Sequence, residues 1–385
     1  MPLTKVSFSV IQVANNVTST TVGNTTSIPS FTFDQNGVIT SASNVTPSIA
    51  NTQITGVITA AQYAANSISN TKIQTGAIEN YLNSQSMNLG MRNRIINGNM
   101  AINQRGVTSG ITSGYFVDRW TLSGCSTSAT LTSSLPTGFN SGISISATSG
   151  NPIAIQKVEA KNCSDLSGRN VTLSFYAKNI SNATILYASL GYPTSTPDDF
   201  NVTTTISEQN LGTLTSDWVR YTYTWTNLPS GAVNGLALNL LCAGTGTFSM
   251  GITGVQLEVG NAPTPFEFRQ FNTELALCQR YYHFLGGDTP YQTITVTVWY
   301  STTEAVGFFR HPVQMRATPT IGKSGDWATL NGGTGSAGQT VSADQNGPKT
   351  TQMGFSGGSS GNVGYASVLR VNNDSNFRLT FSAEL

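Results

Sequence analysis

From about Leu89 onward the chain reads as strands separated by turn residues, and in places apolar and polar residues alternate with a period of two, the pattern of strands buried on one face. In WVRYTYTW (218–225) the alternation is strict: Val219, Tyr221, Tyr223 and Trp225 fall on one side, Trp218, Arg220, Thr222 and Thr224 on the other. VTLSFYAKNI (171–180) and ATILYASLGY (183–192) are rich in β-branched and aromatic residues, and LALNLLCAG (236–244) and TFSMGITGVQLEV (247–259) continue the set. A second strand-rich stretch opens with YQTITVTVWYST, placing Thr293, Thr295, Thr297 and Trp299 on one face. It closes with YASVLRVNNDSNFRLTFSAEL, where Asn372–Asn376 is expected to turn a hairpin. Between them, the glycine-rich segment 322–364 reads as a long loop region of the kind that carries recognition. Many strands and little helical period predict an all-β chain of antiparallel sandwiches.

Two stretches break the pattern. After the strand Val255–Val259, Pro263 and Pro265 remove ladder donors. A short helix is then expected, capped by Asn272 or Thr273, with Leu275, Cys278, Tyr281, Tyr282 and Leu285 near one stripe and Gly286–Gly287 ending it. Upstream, Ile49, Ile54, Ile58, Tyr63, Ile68, Ile73 and Ile78 recur about every fifth position. Five residues advance an α-helix by about 500°, and an odd step flips faces in a strand, so a lone chain cannot bury this row. Cover from neighbouring copies resolves the difficulty and predicts a trimeric stalk over 1–88; a disordered low-complexity arm is the alternative. The expected domains are thus 1–88 for attachment and stalk, 89–271 and 288–385 for two β-domains, and 272–287 for a connecting helix.

Composition narrows the function. Of 385 residues only 10% are charged and the net charge is +1. No strongly basic face is available for nucleic acid, nor a charged run for an anionic membrane surface. No stretch approaches the ~18 apolar residues of a membrane helix, and MPLTKVSFSV lacks a signal-peptide core, so assembly in a cytoplasm is expected. Cys125, Cys163, Cys242 and Cys278 form no C-x-x-C pair and are expected to be buried thiols.

Three motifs carry a resemblance. LEVGNAPTPFE (257–267) followed by ELALCQRYY (274–282), the run RNRIINGNM…QR…YFVDRW (92–120), and MRATP (315–319) resemble segments of bacteriophage tail-fibre and receptor-binding proteins. Trp218, Arg220, Tyr221 and Trp225 look like a strand of jelly-roll carbohydrate-binding modules. The resemblance implies a central jelly-roll sandwich, a virion-tail location, a tail adaptor or baseplate partner for 1–88, and adsorption to a host surface glycan. It leaves open a collar or decoration fibre and, further off, a polysaccharide depolymerase.

Such modules hold sugars on aromatic faces, with amides and carboxylates fixing hydroxyls. The candidates are Tyr187, Tyr192, Trp218, Tyr221 and Tyr223, with Asp198, Asp199 and Asn201 nearby, and Tyr300, Trp327 and Tyr365 in the last domain. Core packing is the competing role for each ring, and a trimer axis competes for Trp299 and Tyr300. The Asp198–Asp199 pair could instead hold a structural Ca²⁺, the one cofactor considered. No catalytic constellation stands out: G-x-S-x-G at 357–361 and G-x-G-x-x-G at 333–338 lack their strand–helix settings, and His283 and His311 lack ligand-spaced partners. A non-enzymatic protein is expected.

Overall fold

The computed structural model describes residues 23–24, 27–46, 91–331, 334–338, 340–357, 360–373 and 377–385. The isoleucine row from Ile49 to Ile78 lies outside the described residues. The chain divides into two compact units, Met1–Met87 and Asn88–Leu385, so both β-domains and the helix between them belong to one unit.

In the first unit, β1 (Ile28–Phe33) and β2 (Ile39–Val45) form an antiparallel hairpin in the register Ile28↔Val45. The Asp34 carboxylate accepts the Asn36 and Val38 N–H groups and shapes its turn.

The second unit opens with short strands: β3 (Gly114–Tyr115), β4 (Thr121–Ser123), β5 (Thr127–Leu131), β6 (Gly142–Ala147) and β7 (Ile153–Val158). The long β8 (Val171–Pro193) follows, then β9 (Thr203–Thr213), β10 (Val219–Trp225) and the equally long β11 (Leu236–Val259). Stretches that read as two strands each are therefore single bent ones. The bend falls where Asn182 takes φ 48° and the β8–β11 register slips between Gly244 and Ser249. A Cβ on Gly244 would meet the Asn182 carbonyl oxygen at 2.4 Å, so the fold-over needs glycine there.

Because both long strands fold over, each serves two layers. One runs β10–β8–β11–β6–β5, the other β9–β8–β11–β7–β4–β3. Leu173, Phe175, Ile143, Ile145 and Ile252 from the first layer and Leu186, Leu190, Leu238 and Leu240 from the second are fully buried in one cluster. Burying each large side chain contributes about 1.5–3 kcal/mol.

Helix α1 (Phe271–Gln279) is shorter than the sequence predicts. Its N-cap is Gln270, with no side-chain cap from Asn272 or Thr273. Tyr282 and Leu285 leave the expected helical stripe and enter β12 (Tyr282–Leu285). There Tyr282 pairs with Ser382, and strand pairing outweighs a weak helical period.

The last domain continues with β13 (Thr293–Trp299), β14 (Glu304–Arg310), β15 (Thr320–Ser324), β16 (Trp327–Asn331) and β17 (Thr334–Gly338). It ends with β18 (Thr340–Asn346), β19 (Thr350–Ser356), β20 (Ala366–Val371) and β21 (Arg378–Ser382). A three-stranded sheet β12–β21–β15 and a seven-stranded sheet β17–β16–β20–β13–β14–β19–β18 enclose Phe309, Met315, Met353, Phe355, Phe377 and Phe381. Two expectations are corrected. Much of the glycine-rich segment forms β16–β19 rather than a loop, because most of its glycines fall between runs such as WATLN, TVSADQN and TTQMGFS that can form ladders. Asn372 does not begin a hairpin: β20 and β21 belong to different sheets.

Polar residues of the motifs that carry the resemblance make buried contacts, some within the first β-domain and some between it and helix α1. Asn93 gives its amide to the Val255 carbonyl at 3.1 Å and accepts the Leu257 N–H at 3.0 Å. Asn97, fully buried, donates to the carbonyls of Ile102 and Asp118, and Trp120 Nε1 donates to the Asn97 carbonyl. Glu274 accepts the Asn97 N–H and pairs with Arg269. Arg280 grips Glu159 through Nε and Nη2 at 3.0 and 2.6 Å, and the Tyr281 hydroxyl donates to the same carboxylate at 3.0 Å. Burial alone would raise the Glu159 carboxyl, but Arg280 and Tyr281 outweigh it and hold it below its ordinary value.

Candidate functional site

The aromatic side chains singled out in the sequence do not converge. Trp327 is 1% exposed and packs edge-on against Phe355 in the last core, so it offers no ring to a ligand. Tyr192, Tyr221 and Tyr223 pack against the first core. Tyr221 donates its hydroxyl to the Thr213 carbonyl, and Tyr223 meets Trp225 edge-on at 5.0 Å. Trp218 lies on Gly251, with Nε1 donating to the Ser134 carbonyl and Lys178 over its ring. Tyr187 is half-buried and points away from the core that holds Leu186 and Ala188. Strand alternation is what sorts these rings, and a period of two says which residues share a face but not which face is covered.

In the last domain Tyr300 is 75% exposed and Tyr365 63% exposed. They do not form one platform. Tyr300 follows the outward residues Val296 and Val298, whereas Tyr365 lies opposite Trp299, joined by the Trp299 N–H to the Tyr365 carbonyl at 3.0 Å. The acidic pair also diverges: Asp198 accepts the Ala160 N–H, and Asp199 accepts both N–H and side-chain amide of Asn201. Among the described residues no cluster of three or more His, Cys, Asp or Glu could hold a metal ion.

What the fold does bring together is a cleft of about 440 Å³ where helix α1 crosses between the two β-domains. Helical spacing builds one wall: Phe271, Leu275 and Gln279, four apart, line it. Phe284, Leu285 and Gly286 at the end of β12, with Asp288 and Gln292 beyond, form the opposite side, and Ala101–Gln104 the third. Phe271 is 63% exposed. Phe284 is held by the Arg378 guanidinium, 4.2 Å above its ring, while Arg378 also donates to the Gln104 carbonyl. Gln292 donates to Asp288 at 2.9 Å, which sets the rim.

The cleft therefore combines two aromatic rings, an aliphatic strip and side-chain amides with one carboxylate. Its volume lies in the usual range for small-ligand sites, which favour domain junctions. The helix that builds one wall is tied near its two ends by the Arg269–Glu274 and Arg280–Glu159 ion pairs. Below the floor, burial pushes the Asp118 carboxyl up to about 6 against the opposing pull of Gln104 and Arg105. Sequence reasoning missed Phe271, Gln279, Phe284, Asp288 and Gln292. The signal within reach was the four-residue spacing of Phe271, Leu275 and Gln279, a row that shares Leu275 with the helical stripe already recognised.

No protein-family model matches the chain. No curated protein matches it either. Among solved structures, 44% of the chain is similar to the enzymatically active domain of bacteriophage CBA120 tailspike protein 4, at 17% identity and a TM-score of 0.32. The match spans only 22% of that tailspike chain. The same share is similar to a putative sugar binding protein from Bacteroides thetaiotaomicron, over 100% of that chain, at 14% identity and a TM-score of 0.33. The TmCBM61 module solved with β-1,4-galactotriose is similar at 12% identity, a TM-score of 0.28, and 99% of its length. At such scores these likenesses carry no argument about the ligand.

Proposed function

We propose that the protein is a non-enzymatic adsorption protein of the tail-fibre type, which holds a host-surface glycan in the cleft beside helix α1. It works as a homotrimer attached to the tail through residues 1–88. The observation that carries the ligand reading is the pairing of Phe271 and Phe284 with Gln279, Gln292 and Asp288 around one cleft. Sugar C–H faces suit the rings, and amides suit hydroxyls. Asp288 is the one carboxylate in the lining, whereas glycoside hydrolysis uses two, which supports binding without cleavage. A single shallow site is weak, and copies on one fibre raise avidity through effective concentration.

The test is binding of labelled protein to host cells in the presence of purified surface polysaccharide. Saturable binding that the polysaccharide competes away supports the proposal. Saturable binding untouched by any surface glycan, or none at all, moves the reading to a collar or decoration fibre. Release of reducing ends would make the protein a depolymerase instead.

A further inference from the structure

The outer face of the seven-stranded sheet carries an apolar patch on β13 and β14, where a lone domain would carry polar side chains. Val296, Val298 and Phe308 are 61%, 43% and 67% exposed on the adjacent strands β13 and β14. Antiparallel sheets with one solvated face normally alternate apolar-in and polar-out. Here the inward set (Thr297, Trp299, Phe309) is buried, and the middle of the outward set, Val296, Val298 and Phe308, is apolar as well. A patch of this kind marks a protein contact more than a sugar platform, since most of it is aliphatic.

Charge identifies the occupant. Glu304 begins β14 and Arg310 ends it. By alternation both share the outer face with Phe308, about 20 Å apart at ~3.4 Å per residue. The Glu304 carboxylate lies over Gly354, where a Cβ would approach it at 2.2 Å, so its place on the sheet is fixed. Among the described residues neither Glu304 nor Arg310 forms an ion pair, although other charged residues there do, Arg119 with Glu384 and Arg280 with Glu159 among them. A face with an acid at one end, a base at the other and apolar residues between complements itself.

We propose that this face packs against a second copy of the chain, with Glu304 of one copy against Arg310 of the next. The contact rests on the protein's being an oligomer and not on the identity of its ligand. It needs no contribution from residues 1–88, and it accounts for the exposed Val–Phe ridge without invoking another protein.

Two measurements on the full chain test it. In the first, Glu304→Arg and Arg310→Glu are made singly and together, and assembly is followed by light scattering over a dilution series. Each single reversal should raise the dissociation midpoint about tenfold or more, and the double exchange should return it towards wild type. In the second, the Glu304→Cys/Arg310→Cys double variant is mildly oxidised. The two positions lie too far apart within one chain for a disulfide, which needs Cα atoms within about 7 Å, so any new bridge joins copies. Covalent ladders in the double variant, absent from both single variants, support the contact. A wild-type monomer would overturn this contact and the trimer together. An oligomer that neither cross-links nor responds to charge reversal would overturn this contact alone and assign the face to a different partner.

Discussion

Arg119 and Glu384 lie 265 residues apart in sequence, yet their side chains form a buried ion pair that ties the start of the first β-domain to the end of the last. The Arg119 guanidinium also lies 3.5 Å from the centre of the Tyr281 ring, and Arg105 reaches the same carboxylate at 3.0 Å. The second unit is thereby closed on itself through its polar residues, at the positions that the YFVDRW motif supplies. Removing one partner leaves the other charged and desolvated. Glu384→Ala should therefore destabilise the second unit by about 3–5 kcal/mol in chemical denaturation. Exposed Glu208→Ala should change it by less than about 0.5 kcal/mol. Equal effects of the two substitutions would contradict this account of the junction.

The histidines give a pH dependence. His311 Nε2 lies 3.2 Å from the Gly347 carbonyl, which can only accept, so that nitrogen carries the proton. His311 Nδ1 is then the acceptor, and His283 Nε2 donates to it at 2.9 Å. Burial, with the neighbouring His311, lowers His283 from 6.5 to about 4. Below pH 6.5 the unfolded chain takes up a proton that the folded chain refuses. Stability should thus fall between pH 6.5 and about 4, by on the order of 3 kcal/mol from this group, and level off below.

Asp118 works in the opposite sense. Its folded value of about 6 lies above the ordinary 3.8, so the folded state holds a proton that the unfolded state releases. Its contribution is present below 3.8 and is lost as pH rises to 6. Asp118→Asn removes that contribution, and the acid-side loss of stability should become steeper than in wild type. Denaturation midpoints measured from pH 7 to pH 4 check both signs at once.

All four cysteines are free and buried, and burial raises Cys125 to about 11 and both Cys163 and Cys242 to about 12. Burial raises Cys278 well above its ordinary value too. The thiolate is the reactive form, so a thiol reagent at pH 8 should label native protein at least about a hundredfold more slowly than denatured protein. Rapid native labelling of any one cysteine would contradict its burial.

Much of the architecture was legible because strand alternation is local. WVRYTYTW sorted Tyr221, Tyr223 and Trp225 onto one side, and the structure packs that side on the core. The thiols were legible from composition and spacing. The roles of individual rings were not. Trp327 and Tyr300 look alike in sequence, but one faces the sandwich interior and the other solvent, a difference set by which sheet covers which face. The double use of β8 and β11 was hidden because a bend through Asn182 and Gly244 reads as a turn between separate strands. The cleft was hidden for another reason: Phe271, Phe284 and Gln292 come from a helix, a strand end and a loop, and only the packing of two β-domains around α1 brings them together.

The most direct test of the central claim compares host-cell binding by wild type, a Phe271→Ala/Phe284→Ala variant and Tyr187→Ala, after circular dichroism has shown each to be folded. Each lost aromatic–sugar contact should cost roughly 1 kcal/mol or more. The double variant should lose at least about tenfold in apparent affinity while Tyr187→Ala binds as wild type. Full binding by the double variant, with loss at Tyr187→Ala, would move the site to the outer sheet of the first β-domain and contradict the cleft.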